Sequence, residues 1–460
     1  MKVKVVNPPN HPFSSRGILI EPIDALGIAS FIAGLGHEVE LVDMDIRQMP
    51  AERYAEALAD AAGYDLAVIV HDYHIPLHQD GALEAVREIA RQAAGHGAKT
   101  VVGGKAATYN PESLLDDSIA ALIRHEMEPA LESLLCANDW TVSGLCQVPG
   151  ISFRDESGNI FTSPRGNNTF DVDRLPIPDR GLIPLDEYID VRTILSSRGC
   201  HMTCDFCHVP GFWGGWRGRG AGAVVDEIEQ LVARHGAKKI LFLDDNATVS
   251  KKRMKEICRG IRERGIRVAL GCLGSLSLYD RGMMEEMYGA GFRWIHYGVE
   301  SGDDAQLQSI HKKVTAAEAR RIVRETRGIG FRVRTSWILD LPDTDEDQLK
   351  RTADLILDMR TEEIRLHHLA LRMGSRLYEN HRNFPSSQYI HHGKQNQNLC
   401  RVPPERIPEM IGRLTGELAE SHAVVTDPDE FVDMEALEKR GRNLQVVSLC
   451  PLRYGLGWRV

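Results

Sequence analysis

No stretch of this chain offers about 18 unbroken apolar residues, so no transmembrane helix is expected. The start, Met1 to Pro9, reads as a strand and lacks the apolar core and small-residue cleavage site of a secretory leader. A basic excess is missing too: 65 acidic residues face 55 basic ones, a net charge of −10. That balance argues against a nucleic-acid partner. It suits a neutral or cationic ligand. No paired cysteine framework stands out. The nine cysteines are odd in number, and Cys136, Cys146, Cys258, Cys272, Cys400 and Cys450 are scattered. The other three fall close together, which in a reducing, cytoplasmic setting points to metal or catalysis. Internal repeats and low-complexity tracts are absent.

What is present is ordinary globular composition, 43% hydrophobic and 26% charged, enough for a large core over 460 residues. Residues 1–140 alternate short apolar runs with helical patterns, as in Val3–Asn7, Ile23–Leu35, Val39–Val42, Ala51–Ala62, Leu66–Val70, Leu83–Ala94 and Thr100–Val102. That alternation predicts parallel βαβ units in an open, Rossmann-like sheet. Residues 141–190, with Pro164–Asn168 and Leu175-Pro-Ile-Pro-Asp179, carry breakers and read as a linker. Residues 191–385 resume the alternation, from a strand at Thr193–Ser196 to one at Arg365–Leu369. Six βα units in series predict a partial (β/α)6 barrel, whose chemistry belongs on the loops at the strand carboxyl ends. The cysteine loop, Asp244-Asp245, Glu300 and Asp340 all fall on that face. Residues 386–460 are expected to form a small, mostly helical C-terminal segment, with a helix at Glu405–His422. The pair His391-His392 has no nearby partner and reads as no metal site.

Cys200-His-Met-Thr-Cys204-Asp-Phe-Cys207 has C-x3-C-x2-C spacing. Three such thiolates can each hold one iron of a four-iron cluster and leave the fourth iron open. Zinc would take a fourth ligand, for which His201 and His208 are awkwardly placed. The spacing by itself leaves both readings standing.

The motif, with Phe206 before its last cysteine, resembles the radical S-adenosylmethionine (SAM) superfamily. Other elements resemble the subgroup with an N-terminal cobalamin-binding domain: Val42-Asp43, Gly103-Gly104, Leu175-Pro-Ile-Pro-Asp-Arg180, Leu243-Asp244-Asp245, Tyr297-Gly-Val-Glu-Ser-Gly302, Lys312-Lys313, Leu339-Asp-Leu-Pro-Asp-Thr344 and Gly374-Ser-Arg-Leu-Tyr378. The resemblance implies a [4Fe-4S] cluster on Cys200, Cys204 and Cys207, SAM chelated to its open iron, and a 5′-deoxyadenosyl radical. It implies a flavodoxin- or ferredoxin-type electron donor. It places Asp244 and Asp245 near the SAM methionine or the substrate, and Glu300 and Ser301 near the SAM ribose or carboxylate. Phe206 would line the cofactor site, and Arg198 or Lys313 would neutralise the carboxylate. Asp244, Asp245, Tyr297, Asp340 and His296 are the catalytic candidates. The plain alternatives are helix caps for the aspartates and an ion pair for Glu300. Trp213 and Trp216 lie in a glycine-rich loop that either covers the site or packs on the barrel. Cys272 keeps a minor claim as hydrogen-atom donor.

Cobalamin is not favoured by the residues. The chain has no Asp-x-His-x-x-Gly motif. Where the subgroup has small residues after the third strand, this chain has His71-Asp72-Tyr73-His74. Its Gly-Glu-Gly-Glu segment is replaced by Arg124-His-Glu-Met127, which removes two glycines that let backbone approach closely. In this, in its compact length and in its short C-terminal segment, the chain resembles the cobalamin-free dehydratases of the subgroup, and that resemblance implies a cobalamin-free lyase as the leading expectation. It would dehydrate an aminosugar, a polar, cationic and paromamine-like substrate, in aminoglycoside antibiotic biosynthesis, beside a nicotinamide-dependent reductase. The alternatives are a cobalamin-dependent radical SAM methyltransferase acting on a natural product, and an iron–sulfur redox sensor that is not an enzyme.

Overall fold

The computed structural model describes residues 1–9, 20–46, 49–60, 63–71, 80–165, 170–381, 390–391, 399–403, 406–420, 423–426 and 445–449. Two compact units emerge: one from Met1–Arg198 with Gly211–Arg219, the other from Gly199–Pro210 and most of the chain after Gly220. No helix among the described residues is long and apolar enough to cross a membrane.

The first unit is built on strands β1 (Lys2–Asn7), β2 (Glu38–Asp43), β3 (Leu66–Val70), β4 (Lys99–Gly103) and β5 (Ala121–Ile123). They run parallel in the order β2-β1-β3-β4-β5. The central strand β3, Leu-Ala-Val-Ile-Val, is buried at every position, as a strand covered on both faces must be. The order reverses between β1 and β3, which is where an open α/β sheet takes its ligand. Residues 10–19 and 72–79, which follow these two strands, lie outside the described residues, and so do Asp72, Tyr73 and His74 of the expected slot. His71 is described and buried. The helix expected over Ala51–Ala62 is shorter, Tyr54–Leu58 after a single 3-10 turn at Ala51–Arg53.

The segment expected as a linker is not one. Its strands β6 (Ile151–Arg154) and β7 (Ile160–Thr162) extend the sheet antiparallel beyond β5. Farther on, the Leu-Pro-Ile-Pro-Asp-Arg run is strapped down. The Asp179 N–H donates to Ser30 Oγ at 2.7 Å, and the Arg180 guanidinium meets Glu21 at 3.0 Å. Proline and glycine fixed the shape of this segment but did not reveal its long-range partners. Tyr188 likewise donates to Asp43 Oδ2 at 2.6 Å. That bond accounts for Val42-Asp43, and burial pushes the Asp43 carboxyl up. Strand β8 (Arg192–Ile194) supplies the strand expected at Thr193–Ser196. Strands β9 (Ser197–Arg198) and β10 (Arg217–Gly218) pair antiparallel.

In the second unit, β11 (Lys239–Phe242), β12 (Ala269–Gly274), β13 (Phe292–Glu300), β14 (Arg332–Ile338) and β15 (Glu363–His367) are successive parallel neighbours. Helices link them, and their first turns are capped by the local sequence. Thr315 with Glu318, and Asp345 with Gln348, form reciprocal capping boxes. The C-terminal segment corrects the expectation of a mostly helical tail. After the helix Arg406–Glu420, β16 (Ala423–Thr426) and β17 (Gln445–Leu449) extend the sheet parallel to β15, in the order β15-β17-β16. Each is a short β-branched run of four or five residues, too brief to give a period in the sequence.

One contact fixes the floor of the second unit's sheet. A Cβ on Gly271 would lie 1.7 Å from the Trp294 ring, so the indole rests directly on the β12 backbone. Gly271→Ala should cost about 3 kcal/mol or more, at the upper end of overpacking penalties. Urea unfolding of the cluster-free chain checks this, and a midpoint equal to the wild type would refute it.

Candidate functional site

The three cysteines sit in the second unit, on the loop that begins at Gly199. Their thiols lie close enough to influence one another electrostatically. Burial pushes the Cys207 thiol up to about 12 and also raises Cys204. Among the described residues, no three His, Cys, Asp or Glu side chains converge on one point as ligands of a single metal ion. His201, one candidate fourth zinc ligand, is exposed.

The loop is held by named bonds. The Gly199 N–H donates to Asp245 Oδ2 at 2.9 Å, and Asn246 Nδ2 reaches Cys200 Sγ at 3.6 Å. Asp205 is its second anchor. Its carboxylate meets His311 at 2.9 Å and Arg376 at 3.2 Å. Its carbonyl accepts the Leu377 N–H at 2.7 Å. Gly374-Ser-Arg-Leu-Tyr378 therefore serves as a brace for the cysteine loop.

Beside the thiols stands a buried ion pair. Lys312 Nζ lies 2.9 Å from Glu300 Oε1 and 5.9 Å from the centre of the Phe206 ring. Burial alone would lower the lysine. The Glu300 carboxylate and the neighbouring thiolates outweigh it and raise its pKa. Glu300 takes a left-handed backbone, φ 74°, uncommon for a residue with a side chain. Gly298 makes room for the pair, because a Cβ there would stand 2.1 Å from Glu300 Oε1 and 3.1 Å from Lys312 Nζ.

Several expected residues are placed elsewhere. Tyr297 is buried and points into the helices, its hydroxyl 3.4 Å from Thr326 Oγ1. Strand alternation puts it on the face opposite His296 and Glu300, which removes it as a hydrogen donor to the barrel interior. Cys272 is buried beside Cys258, which lies on the helix Lys251–Glu263. Asp244 is fully buried near Cys272, while its neighbour Asp245 faces the cysteine loop. Ser301 serves the backbone: its hydroxyl donates to Gln306 Oε1 at 2.6 Å and accepts the Asp303 N–H at 3.0 Å. Arg198 is not available to a SAM carboxylate. It lies in the first unit, 3.1 Å from Glu126 and 2.5 Å from Glu128, with its guanidinium 5.1 Å over the Trp213 ring. Trp213 accordingly packs inside the first unit. Lys312, the neighbour of Lys313, is the lysine that pairs with Glu300.

Asp340 lies at the carboxyl end of β14. It accepts the Leu369 N–H at 2.5 Å and pairs with His368 Nδ1 at 2.7 Å. His368 went unnoticed in the sequence. The signal was there: it directly follows β15 on the same loop face as Asp340.

Residues 194–356 match the model of the radical SAM superfamily, and residues 14–135 match that of the B12 binding domain. An uncharacterized methyltransferase of Pyrococcus horikoshii is 28% identical over 55% of this chain and 56% of its own length. The chain spans about half the length of the curated relatives it matches. The radical SAM methyltransferase TsrM of Kitasatospora setae, with cobalamin and a [4Fe-4S] cluster bound, shares the fold. Its TM-score is 0.69 at 20% identity, over 82% of this chain and 76% of that one. The cobalamin-dependent SAM radical enzyme OxsB also shares the fold. Its TM-score is 0.70 at 16% identity, over 92% of this chain and 72% of that one. These relatives give no support to the expected aminosugar dehydratase.

Proposed function

We propose that this chain, a B12-binding-type domain followed by a radical SAM domain, is a radical SAM enzyme that transfers a methyl group to a small molecule. The radical part rests on one observation above all. Cys200, Cys204 and Cys207 share a braced loop with the Lys312–Glu300 pair and Asp245 beside it. Cys200, Cys204 and Cys207 would hold a four-iron cluster, which would supply the electron for reductive cleavage of SAM. In this reading Lys312 would hold the SAM carboxylate, Glu300 would accept from ribose hydroxyls, and Asp245 would fix the loop's entry. Methyl transfer is supported by the names of the relatives, methyltransferases and cobalamin-dependent radical enzymes.

Those names also point to cobalamin as methyl carrier. The described side chains at the ends of β4 and β5 crowd the place where the subgroup's glycines let backbone approach a cofactor. A Cβ on Gly103 would lie 2.4 Å from Met127 Sδ, so the thioether already fills the space the glycine leaves. Phe212 is fully buried beneath Lys105, His125 and Tyr109. Glu126 is tied to Arg198 and Arg217. No step is therefore derived through cobalamin. The crowding of Gly103 by Met127 favours a second reading, cobalamin-free hydrogen abstraction, with dehydration of a hydroxyl-bearing carbon as one outcome.

Anaerobic reconstitution with hydroxocobalamin, dithionite and SAM separates the two. S-adenosylhomocysteine together with a stoichiometric corrin band supports methyl transfer. 5′-Deoxyadenosine with neither supports the second reading. The absence of both products refutes radical SAM chemistry altogether.

Lys312→Met should weaken SAM binding about tenfold to a hundredfold, since a hydrogen bond to a charged group contributes roughly 1.5–3 kcal/mol. Equilibrium dialysis of labelled SAM against the reconstituted variant measures it. An unchanged affinity would remove Lys312 from the SAM site.

A further inference from the structure

The inner face of the second unit's sheet carries more positive charge than it neutralises. Register places His296 beside Arg334, and Arg334 beside Glu363, across β13, β14 and β15. One layer nearer the carboxyl ends, Ser336 lies beside Arg365. Two guanidiniums share one carboxylate: Arg334 meets Glu363 at 2.5 Å, and Arg365 meets its other oxygen at 3.1 Å. The Nε of Arg334 is buried with no hydrogen-bond partner. Arg365 keeps about a third of its side-chain surface open, 35%, although its backbone is part of a central strand.

The surrounding groups register this excess. Burial and then Arg334 and Arg365 push His296 well below its ordinary value. Burial, Arg365 and Arg372 bring His367 down to about 4. Neither imidazole can offset the arginines, since a histidine is neutral or positive. His296 instead contacts Ser336 Oγ at 2.6 Å. Trp294 closes the floor against Gly271, and Lys312 with Glu300 borders the layer above. Glu300 and Lys312 balance each other, so they do not relieve the arginines.

We infer that the substrate carries an oxyanion, a carboxylate or a phosphoryl group, which docks on Arg334 and Arg365. A planar guanidinium suits such a group through paired, charge-assisted hydrogen bonds. An unmatched positive charge in a protein interior is costly and is relieved by an anion. The SAM carboxylate does not fill this place. Arg334 stands four residues before the end of β14, about 13 Å from it at roughly 3.3 Å per residue. The SAM amino-acid end belongs with the cysteines and Lys312 at that carboxyl end. The placement disfavours a polycationic substrate such as an aminoglycoside. It rests on the reading that the barrel interior receives the substrate.

The test uses the reconstituted holoenzyme with SAM present, so that the SAM carboxylate is already accounted for. Inorganic phosphate, acetate and the diamine putrescine are titrated separately by calorimetry. Saturable binding of phosphate or acetate, weakened at least tenfold in Arg365→Gln and partly kept in Arg365→Lys, is the expected result. Phosphate above acetate would assign a phosphoryl group, and the reverse a carboxylate. No saturable anion binding, equal affinity in Arg365→Gln, or a preference for putrescine overturns the proposal. Substrate-free 5′-deoxyadenosine formation is measured on the same samples. If it persists while anion binding fails, the anion site falls and the radical reading stands. If it is absent from the wild type, the radical reading fails instead.

Discussion

Cys204→Ser should abolish SAM cleavage and empty most of the iron and sulfide from the reconstituted protein. The three thiols lie close enough to influence one another, while Cys258 and Cys272 are buried beside each other elsewhere. A serine hydroxyl is a poor substitute for thiolate, so two ligands would remain where three irons need holding. Loss of an outer partner of a metal ligand costs about 10–100-fold; loss of the ligand itself should exceed that. Asp205→Asn is the graded companion. It leaves all three thiols in place but weakens the bonds to His311 and Arg376 that brace their loop, so a drop of about tenfold is expected. Iron and sulfide analysis together with 5′-deoxyadenosine yield measures both. A Cys204→Ser protein that keeps its cluster and its yield would defeat the assignment, and an Asp205→Asn protein as impaired as the serine variant would show that the brace matters as much as a ligand.

The sequence was most informative where chemistry is local. The cysteine spacing, the alternation of strands and helices, and the placing of Glu300 and Asp245 at strand ends were all legible, because each depends on a few adjacent residues. Tyr297 could also have been placed correctly. It is an odd number of residues from both His296 and Glu300, so strand alternation alone sends it to the other face. Arg198 was not legible: its partners, Glu126 and Glu128, lie some seventy positions away, and nothing near Arg198 announces them. The choice between Lys312 and Lys313 was equally closed to a sequence reading, because it depends on how one irregular turn presents its side chains toward Glu300. The arginine shelf combines both cases. Its face is set by parity, but its shared carboxylate becomes visible only when β14 and β15 are paired.

Glu21→Ala should destabilise the first unit by about 3–5 kcal/mol, the range for breaking a buried ion pair by removing one partner. Glu21 and Arg180 are both essentially inaccessible to water. Glu21 accepts two bonds from the guanidinium, at 3.0 and 3.2 Å, and also the Thr193 N–H and hydroxyl, at 2.5 and 2.8 Å. Alanine would take the carboxylate away from a buried guanidinium that also donates to the Thr193 and Pro178 carbonyls. It would also strip an acceptor from the backbone of β8. Arg180→Ala should be comparably costly, because it strands the carboxylate instead. The double substitution should cost less than the two summed, since each removes what the other leaves unpaired. Glu21→Leu with Arg180→Met should recover part of the loss, as apolar pairs of similar volume often replace buried ion pairs without penalty. The chain has two compact units, so the readout is the midpoint of the earliest urea transition rather than one global free energy. If Glu21→Ala shifts that transition by less than about 1 kcal/mol, the pair is dispensable. The strap formed by Leu175-Pro-Ile-Pro-Asp-Arg180 would then owe its position to Ser30, the Asp179 cap and proline geometry alone.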